Sequence, residues 1–147
     1  ADQVTFHWEA VGCDSGKAEA LAGKIKNLGM RAAVAVKPKT PIDEIATLCN
    51  KTNGSVFDMV LCLSVEPGFG GQSFMPSVLP KVKKLRELCP MLDIQMDGGV
   101  NLQTVEQCAQ AGANVVVAGS AVFGSKDPAV AIAGLREALQ KELPFYK

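Results

Sequence analysis

The chain has 147 residues, 48% of them hydrophobic, with 15 basic and 15 acidic side chains and therefore no formal net charge. Such a balance describes about one globular domain and gives no electrostatic reason to expect a nucleic-acid or membrane-surface partner. No apolar run approaches the roughly 18–20 residues that cross a bilayer, and the opening residues carry no signal-peptide pattern.

Read for period, short apolar runs alternate with longer amphipathic ones. "QVTFHW" predicts a strand, and "SGKAEALAGKIKNLG" a helix opened by Ser15 and closed by Gly29. "RAAVAVKP" predicts a second strand, and "TPIDEIATLCNK" a helix with Thr40 as N-cap and Pro41 in its first turn. The third strand is "DMVLCLS"; a glycine loop separates it from the helix "PSVLPKVKKLREL", which has Pro76 and Pro80 near its start. "LDIQMDGG" is the fourth strand, followed by "NLQTVEQCAQAGA", capped by Asn101 and ended by Gly112. "NVVVAGS" is the fifth, followed by a short "AVFGS" segment and a last helix, "DPAVAIAGLREALQKEL".

Strand–helix units in unbroken succession, with nearly continuous apolar strands, imply a parallel sheet covered by helices. Two architectures qualify, the open doubly wound sheet and the closed (β/α)8 TIM barrel. The glycines decide. A dinucleotide-binding sheet carries its glycine fingerprint after the first strand, whereas here "PGFGGQ", "DGGV" and "AGSA" follow the third, fourth and fifth. Neighbouring parallel strands put those turns side by side on the carboxyl rim, where barrel enzymes build a phosphate site. A complete barrel takes ~250 residues and eight units. The expectation is that residues 1–147 form the carboxyl-terminal part of one barrel domain, roughly strands 4–8, with about three units upstream.

The five cysteines, Cys13, Cys49, Cys62, Cys89 and Cys108, are scattered with no CxxC pair, and His7 is the one histidine. A Cys/His zinc site is not expected, and a reducing, cytoplasmic location is. Glycines without a Cβ let backbone N–H groups at Gly68, Gly70 and Gly71 approach an anion closely. Asp97 ends its strand before two glycines, which puts its carboxylate at the rim for acid–base or metal-ligand work. His7 and Glu9 would approach the site from one side if the polar face of the first strand points inward. Lys37 is read as a solvated strand-end lysine, and "KVKKLRE" as the wet face of a helix.

"TFHWEA", "VKPKTPIDEI", "LSVEPGFGGQSFMPSVLPKVKKLRE" and "IQMDGGVNLQTVEQCAQAGANVVVAGSAVF" together resemble the ribulose-phosphate 3-epimerase family, in order and over essentially the whole chain. The resemblance implies interconversion of D-ribulose 5-phosphate and D-xylulose 5-phosphate in the pentose phosphate pathway. It also implies two aspartates exchanging the C3 proton through an enediolate that a divalent metal (zinc, iron or manganese) stabilises. Asp97 matches the aspartate that is both proton donor and metal ligand. Gly68, Phe69, Gly70 and Gly71, then Asp97, Gly98 and Gly99, then Gly119 and Ser120 match the substrate-binding segments. The family's other aspartate, two metal-ligating histidines and a substrate-binding serine belong to strands not represented in this chain, and Leu63 stands where a methionine is usual. The implied partners are a small sugar phosphate and a second copy of the chain, a dimer being favoured, with neither nucleic acid nor membrane. Two other readings stay open: an epimerase acting on a hexulose 6-phosphate, and a non-catalytic phosphate-binding fragment.

Overall fold

A computed structural model of the chain describes residues 1–51, 54–68 and 72–142. Its strands are β1 (Gln3–His7), β2 (Arg31–Val36), β3 (Met59–Leu63), β4 (Asp93–Asp97) and β5 (Val115–Val117). All neighbours pair in parallel, and the sheet order is the chain order, β1 through β5. The helices are α1 (Ser15–Asn27), α2 (Asp43–Cys49), α3 (Leu79–Leu88), α4 (Val105–Ala111), α5 (Ser120–Phe123) and α6 (Pro128–Glu142).

Because successive strand residues point to opposite faces, each strand divides into two sets. Phe6, Val34, Val60, Cys62, Ile94, Met96 and Val116 lie in or against the hydrophobic core beneath the helices. Helices contribute Ala18, Ala22 and Ile25 from α1, Ile45 from α2, Val82 and Leu85 from α3, and Cys108 from α4. The alternate residues form layers across the other face. His7, Ala35, Leu61, Gln95 and Val115 stand in one register row, and Leu63, Asp97 and Val117 in the next toward the carboxyl end. Layers of side chains drawn from successive strands are how a barrel fills its interior. Burial on the helix side pushes the Cys62 thiol up to about 12, so Cys62 acts as a small hydrophobe.

Several local expectations are corrected. Asp14, not Ser15, caps α1, its carboxylate accepting from Lys17 N at 2.8 Å. Thr40 does not cap α2, which starts at Asp43; its hydroxyl instead donates to Glu9 Oε1 at 2.5 Å. β1 ends at His7, and Trp8–Val11 form a 3-10 turn that drives the indole into the core. Asn101 Oδ1 accepts from Gln103 N and Thr104 N, so it caps the turn ahead of α4 rather than α4 itself.

The basic run on α3 is not merely a wet face. Lys81 Nζ donates to Lys37 O at 2.7 Å and Pro38 O at 2.8 Å, and burial holds its ammonium below the usual lysine range. Arg86 donates to Gly112 O, Pro90 O, Leu92 O and Asn114 Oδ1, fastening α3 to the loops at the amino ends of β4 and β5. A guanidinium presents five donors in a fixed fork, and this one reaches backbone carbonyls on two separate loops at once. Lys83 is exposed, and Lys84 pairs with Asp43 at the surface.

Candidate active site

Beyond β3, β4 and β5 the chain turns at three successive glycine-containing loops, and these loops surround one open cavity of about 930 Å³. Gly68, Asp97, Gly98, Gly99, Gly119 and Ser120 all line it, with Leu63, Glu66 and Thr104 among their neighbours. Six of the expected site residues are thereby brought together at one rim. Phe69, Gly70 and Gly71 lie outside the described residues.

The two glycines after Asp97 are there for geometric reasons. Gly98 and Gly99 have φ of +118° and +67°, and a Cβ on either would overlap backbone of Val65 or Phe74. Only glycine takes both conformations at such close approach. Gly119 differs, since a Cβ there would meet nothing within 4 Å. It is a bare wall of the cavity.

Asp97 ends β4 in register with Leu63 on β3 and Val117 on β5, so its carboxylate has apolar neighbours on both sides. Burial raises its carboxyl above the usual aspartate range, and a hydrogen bond from the Gly98 N–H offsets only part of that. A raised proton affinity suits a carboxyl that must both give and take a proton. Beside it, the buried Ser64 donates from Oγ to Asp97 O at 3.0 Å and to Gly98 O at 2.8 Å. The sequence reading gave Ser64 no role. The available signal was a hydroxyl closing an otherwise apolar strand.

His7 and Glu9 do not line this cavity. Glu9 turns toward the β2–α2 loop, where Oε1 accepts from Lys37 N at 3.0 Å and from Thr40, while Oε2 lies 3.5 Å from His7 Nδ1. Burial alone would raise this carboxyl, but the Thr40 and Lys37 bonds outweigh it and hold Glu9 below its usual range. Lys37 contributes its backbone to this cluster.

Among the described residues no three His, Cys, Asp or Glu side chains come together to hold a metal ion. A half-buried, hard oxygen donor at the cavity rim suits a divalent cation, so Asp97 fits as one ligand. The described residues supply no complete set.

Consecutive parallel βα units with a cavity at the strand carboxyl ends define a (β/α)8-barrel protein, of which this chain supplies five units. A solved structure of 3-hexulose-6-phosphate synthase from Salmonella typhimurium shares the fold, with a TM-score of 0.68 at 20% identity over 97% of this chain and 63% of that one. The family model described as "Ribulose-phosphate 3 epimerase family" matches residues 1–123, and the chain belongs to that family. A ribulose-phosphate 3-epimerase of Eremothecium gossypii is 46% identical over 143 residues, 97% of this chain and 56% of that protein. The rice protein named "Ribulose-phosphate 3-epimerase, cytoplasmic isoform" is 43% identical over 140 residues, 95% of this chain and 59% of its own length. The chain thus spans little more than half of these relatives.

Proposed function

We propose that this chain is the carboxyl-terminal part of a ribulose-phosphate 3-epimerase, interconverting D-ribulose 5-phosphate and D-xylulose 5-phosphate. The observation that carries the proposal is the convergence of three glycine turns and the Asp97 carboxylate on one rim cavity, in a chain of this family. In this reading the backbone at Gly98–Gly99, Gly119–Ser120 and the loop from Gly68 through Phe69, Gly70 and Gly71 holds the sugar phosphate. Bare backbone suits a phosphate because N–H groups can reach its oxygens where a Cβ would intervene.

Asp97 then gives a proton to C3 from one face of the planar enediolate, and takes it back in the reverse direction. Its raised proton affinity supports that role, because a general acid must keep its proton until the transition state. The second carboxyl of a two-base exchange comes from strands this chain does not contain. A divalent metal, with Asp97 as one ligand, would supply fixed positive charge beside the developing oxyanion. The same reading carries a homodimer and a cytoplasmic location, the latter supported by the name of the rice relative. Among the described residues no helix is long and apolar enough to cross a membrane.

Solvent exchange tests the proposal. The full-length protein, incubated with ribulose 5-phosphate in D2O, should incorporate deuterium at C3 and form xylulose 5-phosphate. Turnover of a hexulose 6-phosphate in preference to the pentulose would overturn it, as would no exchange at C3.

A further inference from the structure

Ser64 is the one fully buried polar side chain among the described residues, at the seam between β3 and the β4 turn. Its backbone N–H donates to Asp97 O at 2.8 Å, and its hydroxyl is shared between Asp97 O at 3.0 Å and Gly98 O at 2.8 Å. Its own carbonyl accepts from Met75 N at 2.9 Å, tying the seam to the chain beyond the glycine loop. The carbonyl of Asp97 and the N–H of Gly98 belong to one rigid peptide plane. Two donors from Ser64 hold the carbonyl edge of that plane, and its opposite edge presents the Gly98 N–H to the Asp97 carboxylate. Gly98 sits at φ +118°, where the backbone has alternatives that only a clamp removes.

The geometry points to Ser64 as a positioning residue for the reaction: its hydroxyl fixes the Asp97–Gly98 peptide plane and thereby aims the Asp97 carboxyl at the reacting carbon. The inference rests on Asp97 being the proton-transferring group, as proposed above. Ser64 itself touches no substrate, since it is fully buried and does not line the cavity, although its chain neighbours Leu63 and Val65 do. A hydroxyl acting this way should matter to the chemical step and little to binding. Aim is exercised at the transition state, whereas ground-state binding is spread over the Gly119–Ser120 and Gly68 turns as well as Gly98–Gly99, so loosening one peptide plane costs it little.

The test compares Ser64→Thr with Ser64→Val in the full-length protein. Both add bulk to the same buried place, and only threonine keeps the donor. Ser64→Val should lower kcat about tenfold or more with KM within about twofold, and Ser64→Thr should recover most of kcat. Amide hydrogen exchange at Gly98 supplies a readout independent of turnover. It should quicken in Ser64→Val and stay slow in Ser64→Thr. Should valine not be accommodated, Ser64→Ala removes the donor without steric load and must show the same pattern of kcat and exchange. Equal kcat in the hydroxyl-bearing and hydroxyl-free variants, or a loss appearing in KM, would overturn the inference. Asp97→Asn run alongside separates the two readings. If Asp97→Asn is inactive while the valine and alanine variants are fully active, the Ser64 inference alone fails; if Asp97→Asn is active, the reading beneath it fails.

Discussion

Gly99 lies against the backbone of Phe74 so closely that a Cβ on it would stand 2.5 Å from Phe74 N. This contact joins the turn after β4 to the chain that returns from the β3 loop, so one wall of the cavity is made by backbone meeting backbone. Gly119, which also lines the cavity, has open space where its Cβ would be. Two glycines of one site should therefore fail in opposite ways. Gly99→Ala forces an L-residue to φ +67° against fixed backbone and should destabilise the protein by about 2 kcal/mol or more. Gly119→Val should leave the thermal midpoint nearly unchanged and raise KM for ribulose 5-phosphate about tenfold, by filling space the phosphate needs. Thermal melts beside steady-state kinetics check both. A stable, active Gly99→Ala protein would contradict the packing described.

Asp97→Asn keeps the size of the side chain and loses its proton transfer. We expect kcat to fall by about 10² or more, the usual weight of a positioned acid or base. Binding of inorganic phosphate should persist, because the glycine turns are untouched. Calorimetric titration with phosphate, alongside turnover, distinguishes loss of chemistry from loss of the site. A variant keeping more than about a tenth of wild-type kcat, a barrier change under roughly 1.4 kcal/mol, would remove Asp97 from the acid's role.

How much of this was legible in the sequence depends on which residues carried each feature. The strands were, because five apolar runs each closed by turn residues have few other readings, and glycines after β3, β4 and β5 put the site at one rim. What escaped were choices made by tertiary partners. Thr40 satisfies every local rule for a helix cap, yet a half-buried Glu9 carboxylate more than thirty residues upstream takes its hydroxyl. Lys81 and Arg86 fall within a charge run that reads as solvated. The carbonyls they bond are on other elements, and no period in the sequence announces them. Ser64 stayed without a role for the same reason: its acceptors, Asp97 O and Gly98 O, are backbone atoms at the end of the next strand and in the turn after it.

Arg86 and Lys83 stand on one short helix and should differ sharply. Arg86→Ala removes the donors that the guanidinium gives to the Gly112 and Leu92 carbonyls, and should cost about 3 kcal/mol. Lys83→Ala, at an exposed position, should stay within about 0.5 kcal/mol. Urea denaturation with a common slope reads both. Comparable losses at the two positions would mean that the Arg86 bonds contribute no more than a surface charge does.

Glu9 supplies a pH signature for the β1–β2 end of the sheet. Its carboxylate accepts from Lys37 N and Thr40 Oγ1, and those bonds hold it below its ordinary range despite burial. A carboxyl more acidic in the folded chain than in the unfolded one stabilises the fold only while ionised. That contribution is complete above the unfolded glutamate value and disappears as pH falls through the lower, folded one. Glu9→Gln has no charge at any pH, and its neutral amide oxygen, standing in for Oε1, accepts from Lys37 N and Thr40 Oγ1 more weakly than a carboxylate does. We expect it to be less stable than wild type by about 1–2 kcal/mol at pH 7. Below the ordinary glutamate range the gap should shrink, closing as the native carboxyl takes up its proton. Other carboxylates titrate alike in both proteins, so the difference isolates Glu9. Urea midpoints of the pair, measured at intervals from pH 7 to pH 3, provide the check. A gap that stays constant, or widens in acid, would show that Glu9 holds the Lys37–Thr40 loop by shape and not by charge.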